Sequence, residues 1–203
     1  MSLTLYHCHR SRSLRPLWTL EELGIDYKLI TMPFPPRANY PGYLDINTLG
    51  TVPTLVDGAT TLTESSAMTQ YLAEKHAAGE LSLTPDEPEY GAYLNWLYRS
   101  DATLTFPLTL VLRYSKLEPE ESRNPQIVDD YSKWFFSRLR AVETALEGRD
   151  TLCANRFTAA DISVGFALVF AESLGLATRF KPNTQRYFAH LKARPAFQRA
   201  YML

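Results

Sequence analysis

The chain of 203 residues carries 21 Lys and Arg against 22 Asp and Glu, so its formal net charge is -1, and this balance argues against nucleic acid or a membrane surface as a partner. Two cysteines, Cys8 and Cys153, are too few for a disulfide framework, which favours a reducing compartment. No apolar run is long enough to cross a bilayer and no signal peptide is recognised, so we expect a cytoplasmic protein.

The first part of the chain predicts a strand, a helix and a second strand. Leu3–Tyr6 has the composition of a strand. Leucines at helical spacing then run from Leu14 and stop before Gly24, a residue typical of the end of a helix. Tyr27–Ile30 predicts the second strand, so we expect a right-handed parallel βαβ unit. Residues 33–43, rich in proline and aromatic side chains, are expected to be irregular.

The next part of the chain predicts a hairpin followed by a helix. Thr54–Val56 and Thr61–Thr63 are β-prone and are separated by an Asp-Gly turn. Apolar residues then recur at helical spacing, and Ser65 is predicted to be the N-cap of that helix. Residues 1–79 therefore predict a thioredoxin-like domain with the element order βαβ-ββα.

The start of this helix is a candidate binding site for an amino acid. The Ser65 hydroxyl and the free N–H groups of the helix can hold a carboxylate, and Glu64 beside them can hold an ammonium group. If the bond between Val52 and Pro53 is cis, the backbone of Val52 is free to pair with a peptide. An ordinary hairpin followed by a capped helix is the alternative interpretation of the same residues.

The second half of the chain has a helical pattern throughout. A polar linker precedes it, and residues 88–203 predict an all-α domain. The fold class predicted for the whole chain is therefore α/β plus all-α. Helices are predicted over Glu89–Lys116 with a kink or break at Pro107, over Gln126–Glu147, after the capping box Thr158–Asp161, over Gln185–Lys192 and over Ala196–Met202.

Four features of the chain resemble cytosolic glutathione S-transferases. They are Ser11 with Arg15 in the following helix, the run NTLGTVPTLV at 47–56, the pair Glu64-Ser65, and the run RFTAADIS at 156–163. The resemblance covers essentially the whole chain and points to a bacterial type of the serine-dependent class. It implies a glutathione co-substrate, and a homodimer in which the first domain of each subunit lies against the long helices of the other.

The resemblance also implies how glutathione is held. In the family, the Val-Pro bond is cis and the valine backbone pairs with the cysteinyl part of glutathione, which assigns this role to Val52 and Pro53. The acidic residue and serine that hold the γ-glutamyl end correspond to Glu64 and Ser65.

Three further residues are assigned to glutathione by the same resemblance. Thr51 stands where related sequences often have lysine, so the lysine's charge is missing beside the glycyl carboxylate. Arg37 is the candidate replacement for that lysine. Asp101 resembles an acidic residue that, in several classes, reaches the γ-glutamyl amine from the second subunit.

The catalytic residue implied by the resemblance is Ser11, which would activate the glutathione thiol. Ser13 is the alternative, although as the predicted N-cap of the first helix it has a structural role. Tyr6, within the first strand, is the third candidate. Cys8 does not lie where cysteine-dependent members of the family carry theirs.

Three function hypotheses remain open at the level of the sequence. The first is a transferase that adds the glutathione thiolate to electrophilic, mostly apolar small molecules. The second is a glutathione-dependent disulfide or peroxide reductase, and the third is a non-catalytic binding protein of the same fold. No metal is expected, because residues 7–9, His-Cys-His, alternate between the two faces of a strand and their side chains do not converge.

Overall fold

The computed structural model describes residues 3–203, so the first two residues of the predicted N-terminal domain lie outside the described part. Within that part, four strands form one sheet in the order β2-β1-β3-β4. β1 pairs in parallel with β2, while β3 runs antiparallel to both β1 and β4. This is the predicted thioredoxin-like arrangement. The strands are β1 Leu3–His7, β2 Lys28–Thr31, β3 Thr54–Asp57 and β4 Thr60–Leu62.

The helices follow the predicted order, with boundaries that differ by a few residues. The helices are α1 Leu14–Leu23, α2 Pro36–Asn39, α3 Tyr43–Ile46, α4 Ser65–His76, α5 Tyr90–Arg99, α6 Phe106–Leu112, α7 Pro125–Ala145, α8 Ala159–Ser173, α9 Pro182–Ala193 and α10 Pro195–Met202. The segment before β3, expected to be irregular, contains two short helices, α2 and α3.

The described residues fall into two compact units. One contains the chain up to Ser82 together with Lys192–Leu203, and the other is Leu83–Leu191. The last helix, which we predicted to lie in the all-α domain, packs on α1: the rings of Trp18 and Phe197 meet edge to face at 4.9 Å. Apart from this helix, the division at 1–79 and 88–203 stays a prediction.

The second unit is entirely helical and is built around α8, whose side chains are almost all buried. The predicted capping box is confirmed: Asp161 Oδ2 accepts from the Thr158 N–H at 2.8 Å. The predicted break at Pro107 is also found, because a π-helical stretch, Ser100–Thr105, separates α5 from α6. No helix among the described residues is long and apolar enough to cross a membrane.

Candidate active site

The loop after β1 carries two serine hydroxyls that are hydrogen-bonded to each other. Ser11 Oγ and Ser13 Oγ lie 2.8 Å apart, and Ser13 Oγ lies 2.6 Å from Nδ1 of His7. Both hydroxyls also reach the Cys8 carbonyl oxygen, at 2.8 Å from Ser11 and 3.1 Å from Ser13. Ser13 is 0% exposed, whereas Ser11 is half-buried. Of the two hydroxyls, that of Ser11 is the one a ligand can reach.

Ser13 occupies the N-cap position of α1 as predicted, but its side chain does not cap the helix. Its φ of -66° and ψ of -13° are helical, whereas a capping side chain requires an extended N-cap residue. The prediction that the Ser13 side chain caps α1 is therefore wrong, although Ser13 does hold the N-cap position. The hydroxyl instead bonds to His7, whose ring comes from the end of β1.

His7 and Cys8, at the end of β1 beside these serines, are both neutral at physiological pH. Burial and the neighbouring His9 lower the pKa of His7 to about 4. Burial raises the pKa of the Cys8 thiol to about 11, and Cys8 is 1% exposed. A protonated, buried thiol is a poor nucleophile, so Cys8 is a packing residue.

The peptide bond between Val52 and Pro53 is cis, as expected. The preceding carbonyl, that of Thr51, accepts hydrogen bonds from the Tyr43 hydroxyl at 2.6 Å and from Asn47 Nδ2 at 2.9 Å. These bonds fix the segment that leads into β3. Among the described residues, none bonds to the backbone N–H or C=O of Val52, so both groups remain available to a peptide.

Gly50 brings the Arg37 side chain against the same segment. Gly50 has a φ of +61°, and a Cβ added there would lie 2.7 Å from Arg37 Cβ, which is closer than two carbon atoms can pack. The Arg37 side chain is exposed, and no described residue pairs with its guanidinium group. The Arg37 side chain packs against Gly50, the residue before Thr51.

The N-cap of α4 is Glu64 and Ser65 is the first helical residue, so the helix begins one residue earlier than predicted. Glu64 has the extended φ and ψ of an N-cap residue, which explains the shift. The Ser65 hydroxyl accepts a hydrogen bond from Arg15 Nη1 at 2.9 Å, and both side chains are buried. Glu64 is exposed, makes no side-chain bond to the first turn, and pairs with no other described residue.

The first unit contains nearly all of the predicted site residues. Val52 packs against a buried cluster that includes Cys8 and Tyr43, so the cis-peptide segment lies beside the serine loop. Arg15 of α1 links that loop to Ser65. The exception is Asp101, which belongs to the π-helical stretch of the second unit; its predicted contact with glutathione stays a prediction.

The sequence analysis missed the residues that hydrogen-bond to the site residues and fix their positions. His7 was considered as a metal ligand and set aside, and Tyr43 and Asn47 were not assigned a role. Asn47 is the first residue of the run at 47–56 that resembles the family, so that motif could have pointed to it. The contact between Arg15 and Ser65 joins residues 50 positions apart, a distance over which local patterns give no signal.

Comparison with known proteins gives consistent matches. A family model described as glutathione S-transferase, N-terminal domain, matches residues 9–75. Glutathione S-transferase F13 of Arabidopsis thaliana is 30% identical over 206 residues, covering 97% of this chain and 94% of that protein. Glutathione S-transferase 3 of Schizosaccharomyces pombe is 26% identical, covering 96% and 84%. The solved structure of glutathione transferase URE2P6 from Phanerochaete chrysosporium, in complex with oxidized glutathione, has a TM-score of 0.87 and 27% identity, covering 99% and 95%. The chain therefore belongs to the glutathione S-transferase family.

Proposed function

We propose that this protein is a glutathione transferase that adds the glutathione thiolate to electrophilic, mostly apolar small molecules, with Ser11 as the catalytic residue. The observation that carries the proposal is the half-buried Ser11 hydroxyl, which bonds to the carbonyl of Cys8 and the hydroxyl of Ser13 and accepts from the Ser13 backbone N–H at 3.3 Å. A hydroxyl in this position can donate a hydrogen bond to a thiolate. Such a bond favours the charged form and lowers the pKa of the thiol.

The start of α4 supports binding of the γ-glutamyl end of glutathione. The Ser65 oxygen already accepts from Arg15, and no described residue accepts the Ser65 proton. That proton and the N–H groups of the first turn can bind the α-carboxylate. The exposed Glu64 carboxylate next to them can bind the α-ammonium group.

The cis-peptide segment supports binding of the rest of the tripeptide. The N–H and C=O groups of Val52 can pair with the cysteinyl backbone as one strand pairs with another, and Pro53 fixes the direction of the chain after them. Arg37, whose side chain packs against Gly50 next to Thr51, can bind the glycyl carboxylate. No metal enters this scheme.

The buried state of Cys8 favours conjugation over disulfide reduction by a protein thiol. A cysteine that exchanges disulfides must be accessible and have a lowered pKa, whereas Cys8 is buried and its thiol pKa is raised to about 11. The reacting sulfur in this scheme is therefore that of glutathione. The close relatives, which are named transferases, favour the same choice.

A comparison of products tests the proposal. The protein is incubated with glutathione and, separately, with an aryl halide, an organic peroxide and a mixed disulfide. We expect a thioether from the aryl halide as the main activity. Formation of oxidised glutathione from the peroxide or the disulfide, with no thioether from the aryl halide, would show that the protein is a reductase and not a transferase. No turnover of any of the three compounds would indicate a non-catalytic binding protein.

We also propose that the protein works in the cytoplasm as a homodimer. The large side chains exposed on the second unit support a covered surface there: Tyr98 is 66% exposed and Phe106 is 48% exposed. Sedimentation at micromolar concentration should give a dimer. A stable monomer would overturn this part of the proposal.

A further inference from the structure

A chain of hydrogen bonds runs inward from the catalytic serine to a buried histidine. Ser11 Oγ lies 2.8 Å from Ser13 Oγ, and Ser13 Oγ lies 2.6 Å from His7 Nδ1. His7 and Ser13 are buried, whereas Ser11 is half-buried. A ligand thus reaches the outer end of the chain and never touches the histidine.

The second ring nitrogen of His7 indicates which way the hydrogen bonds point. His7 Nε2 is buried, and no described residue pairs with it. The ring is neutral, since burial and His9, with ring centroids 5.3 Å apart, hold its pKa at about 4. A buried N–H group without an acceptor is rarer than an under-satisfied acceptor. The single ring proton therefore lies on Nδ1, and His7 donates to Ser13.

We propose that His7 is a positioning residue that frees the Ser11 hydroxyl to donate to the glutathione thiolate. Because Ser13 Oγ receives the His7 proton, its own proton points to the Cys8 carbonyl at 3.1 Å or to Ser11 Oγ at 2.8 Å. The inference rests on the proposed role of Ser11 in thiolate binding.

When glutathione binds, the Ser11 proton must leave the Cys8 carbonyl and turn to the sulfur. The Cys8 carbonyl tolerates this change because it has a second donor. It accepts from the hydroxyls of both Ser11 and Ser13. When the Ser11 proton turns to the sulfur, the carbonyl keeps the Ser13 proton, so no buried acceptor is left without a donor. If Ser13 donated to His7 instead, the Cys8 carbonyl would depend on Ser11, and the Ser11 proton would be held there.

Loss of the imidazole leaves Ser13 without its donor. Ser13 Oγ then competes with the sulfur for the Ser11 proton, and the polarisation passed along the chain of hydroxyls is lost. We expect the pKa of the bound thiol to rise by about 0.5 unit, which lowers the ratio of thiolate to thiol roughly threefold at a given pH. The effect is smaller than that expected for loss of Ser11 itself.

The experiment measures the thiol pKa of bound glutathione from its ultraviolet thiolate absorbance, in the parent and in the variants His7→Leu and His7→Asn. Leucine fills the site without a donor, whereas the asparagine amide can donate from the place of Nδ1. The exposed His190 gives the control His190→Leu. We expect a raised thiol pKa in His7→Leu, a value near that of the parent in His7→Asn, and no change in His190→Leu.

The outcomes separate this inference from the proposed function. If the parent does not lower the thiol pKa of glutathione, the proposed function itself fails. If the parent lowers it and Ser11→Ala raises it, while folded His7→Leu leaves it unchanged, the role of His7 is overturned and that of Ser11 stands. An equal rise in His7→Leu and His7→Asn would also overturn the role of His7, because a donor at this position would then make no difference.

Discussion

The Nη1 atom of Arg15 donates a hydrogen bond to the hydroxyl of Ser65 across 2.9 Å, and both side chains are buried. The bond joins α1, which begins after the serine loop, to the first turn of α4. Since Ser65 accepts from Arg15, its own proton remains for a further acceptor. Arg15 thus orients the hydroxyl that we assign to the γ-glutamyl carboxylate.

This relationship predicts different effects for the two residues at the start of α4. Ser65→Ala should weaken glutathione binding by roughly tenfold to a hundredfold, because a charge-assisted hydrogen bond of about 1.5–3 kcal/mol is lost. It should also lower the free energy of unfolding by about 1–3 kcal/mol, since the buried Arg15 loses an acceptor. Glu64→Gln should weaken binding, yet change the free energy of unfolding by less than about 0.5 kcal/mol, because the side chain is exposed.

Titration calorimetry with glutathione and denaturant unfolding measure the two quantities separately. Unchanged affinity in both variants would show that the amino-acid head group binds elsewhere. Equal stability of the two variants would show that the bond from Arg15 contributes nothing to folding.

The close packing at Gly50 leads us to expect that a larger residue there weakens glutathione binding. A methyl group at Gly50 would lie 2.7 Å from Arg37 Cβ and 3.0 Å from Leu44 Cδ2. Gly50→Ala should therefore displace Arg37 and the segment entering Thr51, and weaken glutathione binding at least several-fold. It should also cost about 1–2 kcal/mol of stability, because alanine is strained at positive φ.

Gly79→Ala is the matched control for this change. Gly79 also has a positive φ, +82°, but nothing lies within 4 Å of an added methyl group. The control should lose a similar amount of stability through backbone strain and keep its affinity for glutathione. If calorimetry shows equal affinities for the two variants, contact with Arg37 is not what Gly50 protects.

The bonds of Glu89 lead us to expect that the stability of the second unit depends on pH. Its carboxylate accepts from Arg149 Nη1 at 2.9 Å and Nη2 at 2.8 Å, and from the backbone N–H of Ala154. The Arg149 bonds come first among the causes that lower the pKa of Glu89 to about 2. The charged form is favoured in the fold, so its contribution is present above the unfolded pKa of about 4.5 and is lost as the pH falls towards about 2.

Glu89→Gln tests this contribution. At about pH 7 the variant should be less stable than the parent by about 1 kcal/mol, a value kept small because the pair is partly exposed. The difference should shrink when urea unfolding is repeated at about pH 3.5. Glu147→Gln, at an exposed glutamate, should match the parent at both values. A difference between Glu89→Gln and the parent that does not change with pH would contradict the assignment.

The order of elements was predictable because each one has a local signal. The leucines from Leu14 to the stop at Gly24 define α1, and Gly24 does adopt the left-handed conformation, with φ 61°. The box from Thr158 to Asp161 defines the start of α8 in the same way. Such signals depend on residues within one or two turns of each other.

The partners of individual side chains were not predictable in this way. Ser13 reaches a histidine on the preceding strand, and Ser65 reaches an arginine on another helix. Because those partners come from tertiary packing, serines that look like N-caps in the sequence have other bonds in the fold. The last helix is a further case, since its packing against Trp18 depends on the folded position of α1.

The pH–rate profile of Ser11→Ala tests the central claim most directly. Conjugation of glutathione to an aryl halide is measured as kcat/KM from about pH 6 to about pH 9 for the parent, Ser11→Ala and Ser13→Ala. We predict that Ser11→Ala raises the apparent thiol pKa by about one to two units and slows conjugation at neutral pH roughly tenfold to a hundredfold. Glutathione affinity should stay within a few-fold of the parent, and the loss should shrink as the pH rises. A larger shift in Ser13→Ala than in Ser11→Ala, or an unchanged profile in Ser11→Ala, would contradict the assignment of Ser11 as the donor to the thiolate.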